Sequence, residues 1–196
     1  MRKMFKLSVL VMVIITAFFT TACTTAETPP PSASAGENPA AAKIDRGVDE
    51  ALEKLYSSTP AAFELSKVAK GILVFPDIIK GGFVVGGQYG EGALRKDGIT
   101  AGYYNTAAAS YGLQAGVQKF GYALFFLDDA SLEYLNNSRG WEIGVGPNVT
   151  VVDAGVAKNL STTTARSGVY AFFFDQKGLM AGLGIQGSKI SKINPK

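Results

Sequence analysis

Few residues in this chain have the chemistry for acid–base, nucleophilic or metal-dependent work. Its 196 residues include no histidine and one cysteine, Cys23. Ser-His-Asp and Cys-His catalysis are therefore excluded, as is every ordinary zinc site. Carboxylate and lysine chemistry remain open in principle. The Asp128-Asp129 pair stands directly before Ala130–Leu135. Its position reads as the N-cap of a short helix rather than as an acid–base pair. Gly182-Leu-Gly184-Ile-Gln-Gly187 fits the letters GxGxxG. No βαβ unit surrounds it, so dinucleotide binding is not expected. No enzymatic activity, cofactor or metal site is expected.

Cys23 has the most informative surroundings. Arg2, Lys3 and Lys6 form a positive n-region ahead of the apolar run Leu7–Phe19. That run of about 13 residues has the length of a signal-peptide core and is short of the roughly 18 needed to span a bilayer. Thr20-Thr21-Ala22-Cys23 follows and resembles the bacterial lipobox, with Thr20 in place of the usual Leu. The resemblance implies a signal peptide over residues 1–22 and acylation of Cys23. The alternative is a plain secretory signal cut nearby, with an incidental cysteine. A single cysteine forms no intrachain disulfide. More than one acyl chain, at about 0.8 kcal/mol per buried CH₂, makes a stable anchor. Thr24 is not Asp, so the sorting rule of enterobacteria points to the outer membrane.

The next stretch, residues 23–42, is rich in Ala, Pro, Ser and Thr and includes Pro29-Pro30-Pro31. It lacks the large apolar residues of a core and reads as a semi-extended tether. Residues 43–196 suit one domain. The formal charge of +3 arises from 19 basic and 16 acidic residues. Removing Arg2, Lys3 and Lys6 leaves 16 against 16, a formally neutral chain. A general nucleic-acid binder carries a strong basic excess, so no nucleic-acid partner is expected. Local cation clusters still matter. After Asp175 there are no acids, while Lys177, Lys189, Lys192 and Lys196 remain.

Two elements open the domain. Ile44, Val48, Leu52 and Leu55 recur at helical spacing and predict an amphipathic helix. Thr59-Pro60 is expected to cap and start a second helix, ended by Gly71, with Phe63, Leu65, Val68 and Ala69 as its apolar positions. Lys67 and Lys70 would then lie in its last turn, complementing the helix dipole. Beyond Gly71 the signals are mostly β. Lys70–Gly92 reads as strand, corner, strand, with Pro76 stopping the ladder and Gly81-Gly82 turning the chain. Lys96-Asp97-Gly98 is a hairpin turn signal. Ser110–Lys119 alternates and Tyr122–Leu127 is a buried apolar strand. Trp141–Val145 and Val149–Val152 are further strands. Gly168–Phe174 and Leu179–Ile185 flank an expected turn at Asp175–Gly178. The expected fold is α+β, with amphipathic helices packed on a curved, mostly antiparallel sandwich or barrel-like sheet.

Several blocks resemble the SYLF domain. They are Lys70-Gly-Ile-Leu-Val-Phe-Pro76, Lys80-Gly-Gly-Phe-Val-Val-Gly-Gly87, Tyr89-Gly-Glu-Gly92, Tyr104-Asn105, Ser110-Tyr-Gly-Leu-Gln-Ala-Gly116, Gly140-Trp-Glu-Ile-Gly144, Gly178-Leu-Met-Ala-Gly182 and Gln186-Gly-Ser-Lys189. They occur in family order and cover nearly the whole domain after the tether. The resemblance implies binding of anionic phospholipids, notably phosphoinositides. Bacterial members are often single-domain, exported and lipidated. No catalytic residue carries over. The expected lipid contacts are Lys67, Lys70 and Lys80 by resemblance, with Lys189 and Lys192 added for the basic tail. The rival expectation is a non-catalytic envelope module that meets a protein partner of unknown identity through its glycine-rich strands.

Overall fold

The computed structural model of the chain describes residues 38–137, 141–142, 147–152, 160, 165, 168–178 and 188–196. All described residues belong to one compact unit, Ala35–Lys196. Cys23, the signal region, the GxGxxG match and the expected strand Leu179–Ile185 lie outside them, as does the Val145 end of the expected strand from Trp141.

Helix α1 spans Pro39–Ser58. It starts earlier than the domain boundary expected at Lys43, because Asn38 caps it and Pro39 presets its first turn. The Asn38 side chain accepts from the Ala40 amide at 3.0 Å. Ala41, Ile44, Val48, Ala51 and Leu55 form its buried stripe. Helix α2, Pro60–Ser66, is shorter than expected. Thr59 makes no side-chain cap bond, and its amide donates instead to the Leu55 carbonyl at 2.8 Å. Lys67 is the C-cap and Gly71 is already in a strand, so neither Lys67 nor Lys70 occupies a last helical turn. Leu65 is buried as expected, whereas Phe63 and Val68 face solvent.

Strand β1 runs unbroken over Gly71–Lys96 and pairs antiparallel with β2, Ile99–Phe126. The two join through Asp97 (φ 50°) and Gly98 (φ 79°), the left-handed pair that a two-residue hairpin turn requires. The corner expected at Pro76 is instead a register shift between Phe75 and Ile78. An extra residue lets the ladder pass a proline that donates no hydrogen bond. Likewise Gly81-Gly82 does not turn the chain into a new strand. A second shift, between Phe83 and Val85, bends the continuing one.

The bend brings β1 back onto itself. A Cβ at Gly90 would lie 2.8 Å from both the Asp77 carbonyl oxygen and Ile78 Cγ1. One at Gly92 would collide with the Val74 carbonyl. Gly82 and Gly86 meet backbone to backbone at the bend.

Helix α3, Asp129–Asn137, follows β2. The remaining described strands are β3, Trp141–Glu142; β4, Val149–Val152; β5, Val169–Gly178; and β6, Lys189–Ile193. The free edge of β2 pairs with β6 at one end and β5 at the other. All described pairings are antiparallel except β4 on β5. Strand β5 runs through the turn expected at Asp175–Gly178, and β6 forms from the tail read only as basic. The fold is α+β, with one mostly antiparallel sheet that is not closed among the described residues.

The sheet is buried on both faces near the ribbon's ends. Leu73, Phe75, Tyr122, Leu124 and Phe126 join Leu132 and Leu135 of α3 on one face. The alternate residues Ile72, Val74, Ala123 and Phe125 join Phe172 and the α1 stripe on the other. Period-two alternation with both sets apolar produces this double burial.

Candidate functional site: lysines and a cavity at the helix–hairpin junction

The five candidate lysines lie on different parts of the fold. Lys67 ends α2, where its Nζ lies 2.6 Å from Glu64 Oε1 and 4.7 Å from the centroid of the Phe63 ring. Lys70 is exposed, and its amide donates to the Phe126 carbonyl at 2.7 Å, which ties the entry of β1 to the end of β2. Lys80 is buried, with 8% of its surface exposed. Its side chain is therefore not on the outer surface of the ribbon: the Phe75/Ile78 shift turns it to the inner face. Lys189 and Lys192 are exposed on β6. Three residues apart on a strand, they point to opposite faces.

Beside Lys67 lies a cavity of about 370 Å³. Its walls come from α1 (Asp49, Leu52, Tyr56), the start of β1 (Gly71, Ile72) and the hairpin end (Arg95, Asp97). This volume is within the range of small-ligand sites, roughly 300–1,000 Å³. Burial raises the Tyr56 hydroxyl above its ordinary pKa and a Ser66 hydrogen bond offsets part of that. The phenol stays protonated at neutral pH and is a donor. Beyond the cavity, α1 and the sheet share an apolar interface. Ile44, Val48, Ala51 and Leu55 fill that interface against Val74, Ala93 and Phe125.

The cavity wall is held by a polar network that sequence reasoning missed. Arg95 approaches Asp45 Oδ1 at 3.2 Å and Asp49 Oδ1 at 2.6 Å. It also donates to the Asp45 carbonyl at 3.2 Å and to Thr100. Thr100 and Tyr103 donate to the two Asp45 oxygens, each at 2.6 Å. The Arg95 side chain is 12% exposed, and its Nε has no partner. A legible signal existed: Asp45 and Asp49 are four apart on a helix and share a face. What they meet required the tertiary fold.

Asp128 is engaged as a cap. Its Oδ1 accepts from the Ser131 amide at 2.7 Å, and its Oδ2 accepts from the Gly168 amide. Burial raises its pKa, but hydrogen bonds from Ser131 and Gly168 outweigh that and hold the carboxyl below its ordinary range. Among the described residues no group of three or more His, Cys, Asp or Glu is placed to hold a metal ion. No protein-family model and no curated protein matches this chain.

Proposed function

We propose that the domain binds anionic phospholipid at the junction of α2 with β1, with no catalytic role. The observation that carries this reading is the cavity lined by Lys67, Arg95 and Tyr56, with exposed Lys70 three residues further along the chain. Ammonium, guanidinium and phenol donors suit phosphate oxygens. The ion pair of Lys67 with Glu64 is solvent-exposed on both sides, so a lipid phosphate competes with it at little cost. The resemblance to the SYLF domain, carried by the sequence blocks alone, points the same way. On that reading the bent ribbon with its helices is a barrel-like SYLF sheet. Lys189 and Lys192 are auxiliary contacts. Acylation of Cys23 would tether the domain to the envelope, at the outer membrane by the sorting rule.

The test is co-sedimentation with phosphatidylglycerol vesicles. Changing Lys67 and Lys70 together to Gln removes about 1 kcal/mol each, or roughly a 30-fold loss of affinity. Unchanged binding by the double variant would refute this site.

A second reading, an envelope protein-interaction module, is favoured by one observation. The outer face of the bent ribbon exposes Ile79, Val85, Tyr89 and Val117. Absence of binding to anionic vesicles, together with capture of an envelope protein that Val85→Asp and Val117→Asp abolish, would establish it instead.

A further inference from the structure

The inner face of the β1–β2 ribbon changes character along its length. Near the ribbon's ends it carries Leu73, Phe75, Leu124 and Phe126. Toward the bend, Ile78 and Phe120 face each other in register, and the next inward pair is Lys80 and Gln118. Thr106 and Ser188 are also buried there, on either side of Ile190, which pairs with Thr106. Polar residues have replaced apolar ones in an interior.

Two buried polar atoms on this face have no hydrogen-bond partner. Gln118 is 5% exposed and its Oε1 accepts no hydrogen bond. The Tyr122 hydroxyl, on the same face of the same strand, is buried without a partner. No described carboxylate forms an ion pair with Lys80. An unpartnered polar group in an interior costs free energy, and so does taking a cation out of water. Methionine would fill the same space as Lys80 without that cost. A cation and an amide directly opposite each other on an antiparallel pair have Cβ atoms about 5 Å apart, so one small molecule can touch both. Unsatisfied buried groups call for a ligand or another function.

We infer that the inner face at Lys80 and Gln118 is a binding site for a hydroxylated phosphate, such as a polyol phosphate. The Lys80 ammonium and Tyr122 hydroxyl donate to phosphate oxygens. Gln118 Oε1 accepts from the ligand's hydroxyl group, a role inorganic phosphate dianion fills poorly. The same chemistry is offered by a free sugar or glycerol phosphate and by the headgroup of a glycerol- or inositol-bearing lipid. The site is separate from the cavity beside Lys67 and does not depend on it.

Calorimetric titration of the full chain with glycerol 3-phosphate and with inorganic phosphate tests the site, using Lys80→Met and Gln118→Met. The expected result is glycerol phosphate binding that Lys80→Met weakens at least about tenfold, with the melting temperature unchanged or raised. Gln118→Met should weaken glycerol phosphate and spare inorganic phosphate. Co-sedimentation with phosphatidylglycerol vesicles identifies the source. Loss of vesicle binding in Lys80→Met assigns the site to a lipid headgroup, and retention assigns it to a free ester. No binding of glycerol phosphate by the wild type would overturn the inference. So would wild-type affinity in Lys80→Met, or a fall in its melting temperature of several degrees, which would mark Lys80 as structural.

Discussion

Asp128 shows how one carboxylate is committed to structure. It joins the start of α3 to the Gly168 backbone just ahead of β5. A carboxyl whose folded pKa is depressed contributes stability above its unfolded pKa, near 3.9, and loses it as pH falls through the folded value. Asp128→Ala should cost about 1 kcal/mol at neutral pH. The difference from wild type should shrink once both are measured well below pH 4. Denaturant midpoints at pH 7 and pH 2.5 would check this, and a constant difference would contradict it. Asp45 has the larger structural role. It accepts from Arg95, Thr100 and Tyr103 together. Among the described residues, Asp45→Ala leaves Arg95 with exposed Asp49 as its carboxylate partner and should cost about 2 kcal/mol. Adding Arg95→Met should recover part of that loss, because it removes the stranded charge. A double-mutant cycle of midpoints reads the coupling, and strict additivity would show that the two do not act as a unit.

At the scale of the element, the β1–β2 ribbon governs the architecture. Two register shifts and a few close backbone approaches convert a 26-residue strand into a folded-back one. A Cβ at Gly86 would lie 2.8 Å from Ser110 Oγ and 3.1 Å from the Gly81 carbonyl oxygen. Gly86→Val should therefore destabilise the domain by more than about 1 kcal/mol. Ser110→Ala in the same chain should return only part of it, since the Gly81 carbonyl is backbone. An unchanged midpoint in Gly86→Val would mean the ribbon is flat here. Gly92→Ala should be costlier still, because its new methyl meets the Val74 carbonyl rather than a movable side chain. The same fold-back accounts for the position of Lys80. Residues beyond the Phe75/Ile78 shift have exchanged faces relative to simple alternation from Ile72.

For the molecule as a whole, charge and anchoring decide how it would meet a membrane. With 16 basic and 16 acidic residues after the first 22, the chain has no long-range pull toward an anionic bilayer. Binding through Lys67 and Lys70 is local and exposed, so it should weaken with salt, since screening acts within about 10 Å at 0.1 M. Vesicle binding that is insensitive to salt would point to the exposed apolar stripe of Ile79, Val85 and Val117 instead. Attachment is a separate property. Cys23→Ser should abolish incorporation of a labelled fatty acid, because serine offers no thioether. Label retained in that variant would refute the anchor.

Local patterns determined much of this protein. The missing histidine excluded whole classes of chemistry. The 3.6-residue repeat of Ile44, Val48 and Leu55 located α1, and Asp97-Gly98 located the hairpin turn, because both depend on neighbours in the chain. The acid pair before Ala130 was legible as a cap for the same reason. The tertiary structure alone decided which lysines reach solvent, and that Asp45 and Arg95 belong to one network. Alternation tells which residues share a face of a strand, but not which face lies inside. That depends on where bulges exchange the faces and on what folds over them. Lys80 resembles any surface lysine until Gly90 and Gly92 let the far end of its own strand close against Val74–Ile78. Burial is a property of the partner surface, and here that surface is supplied by residues distant in the chain.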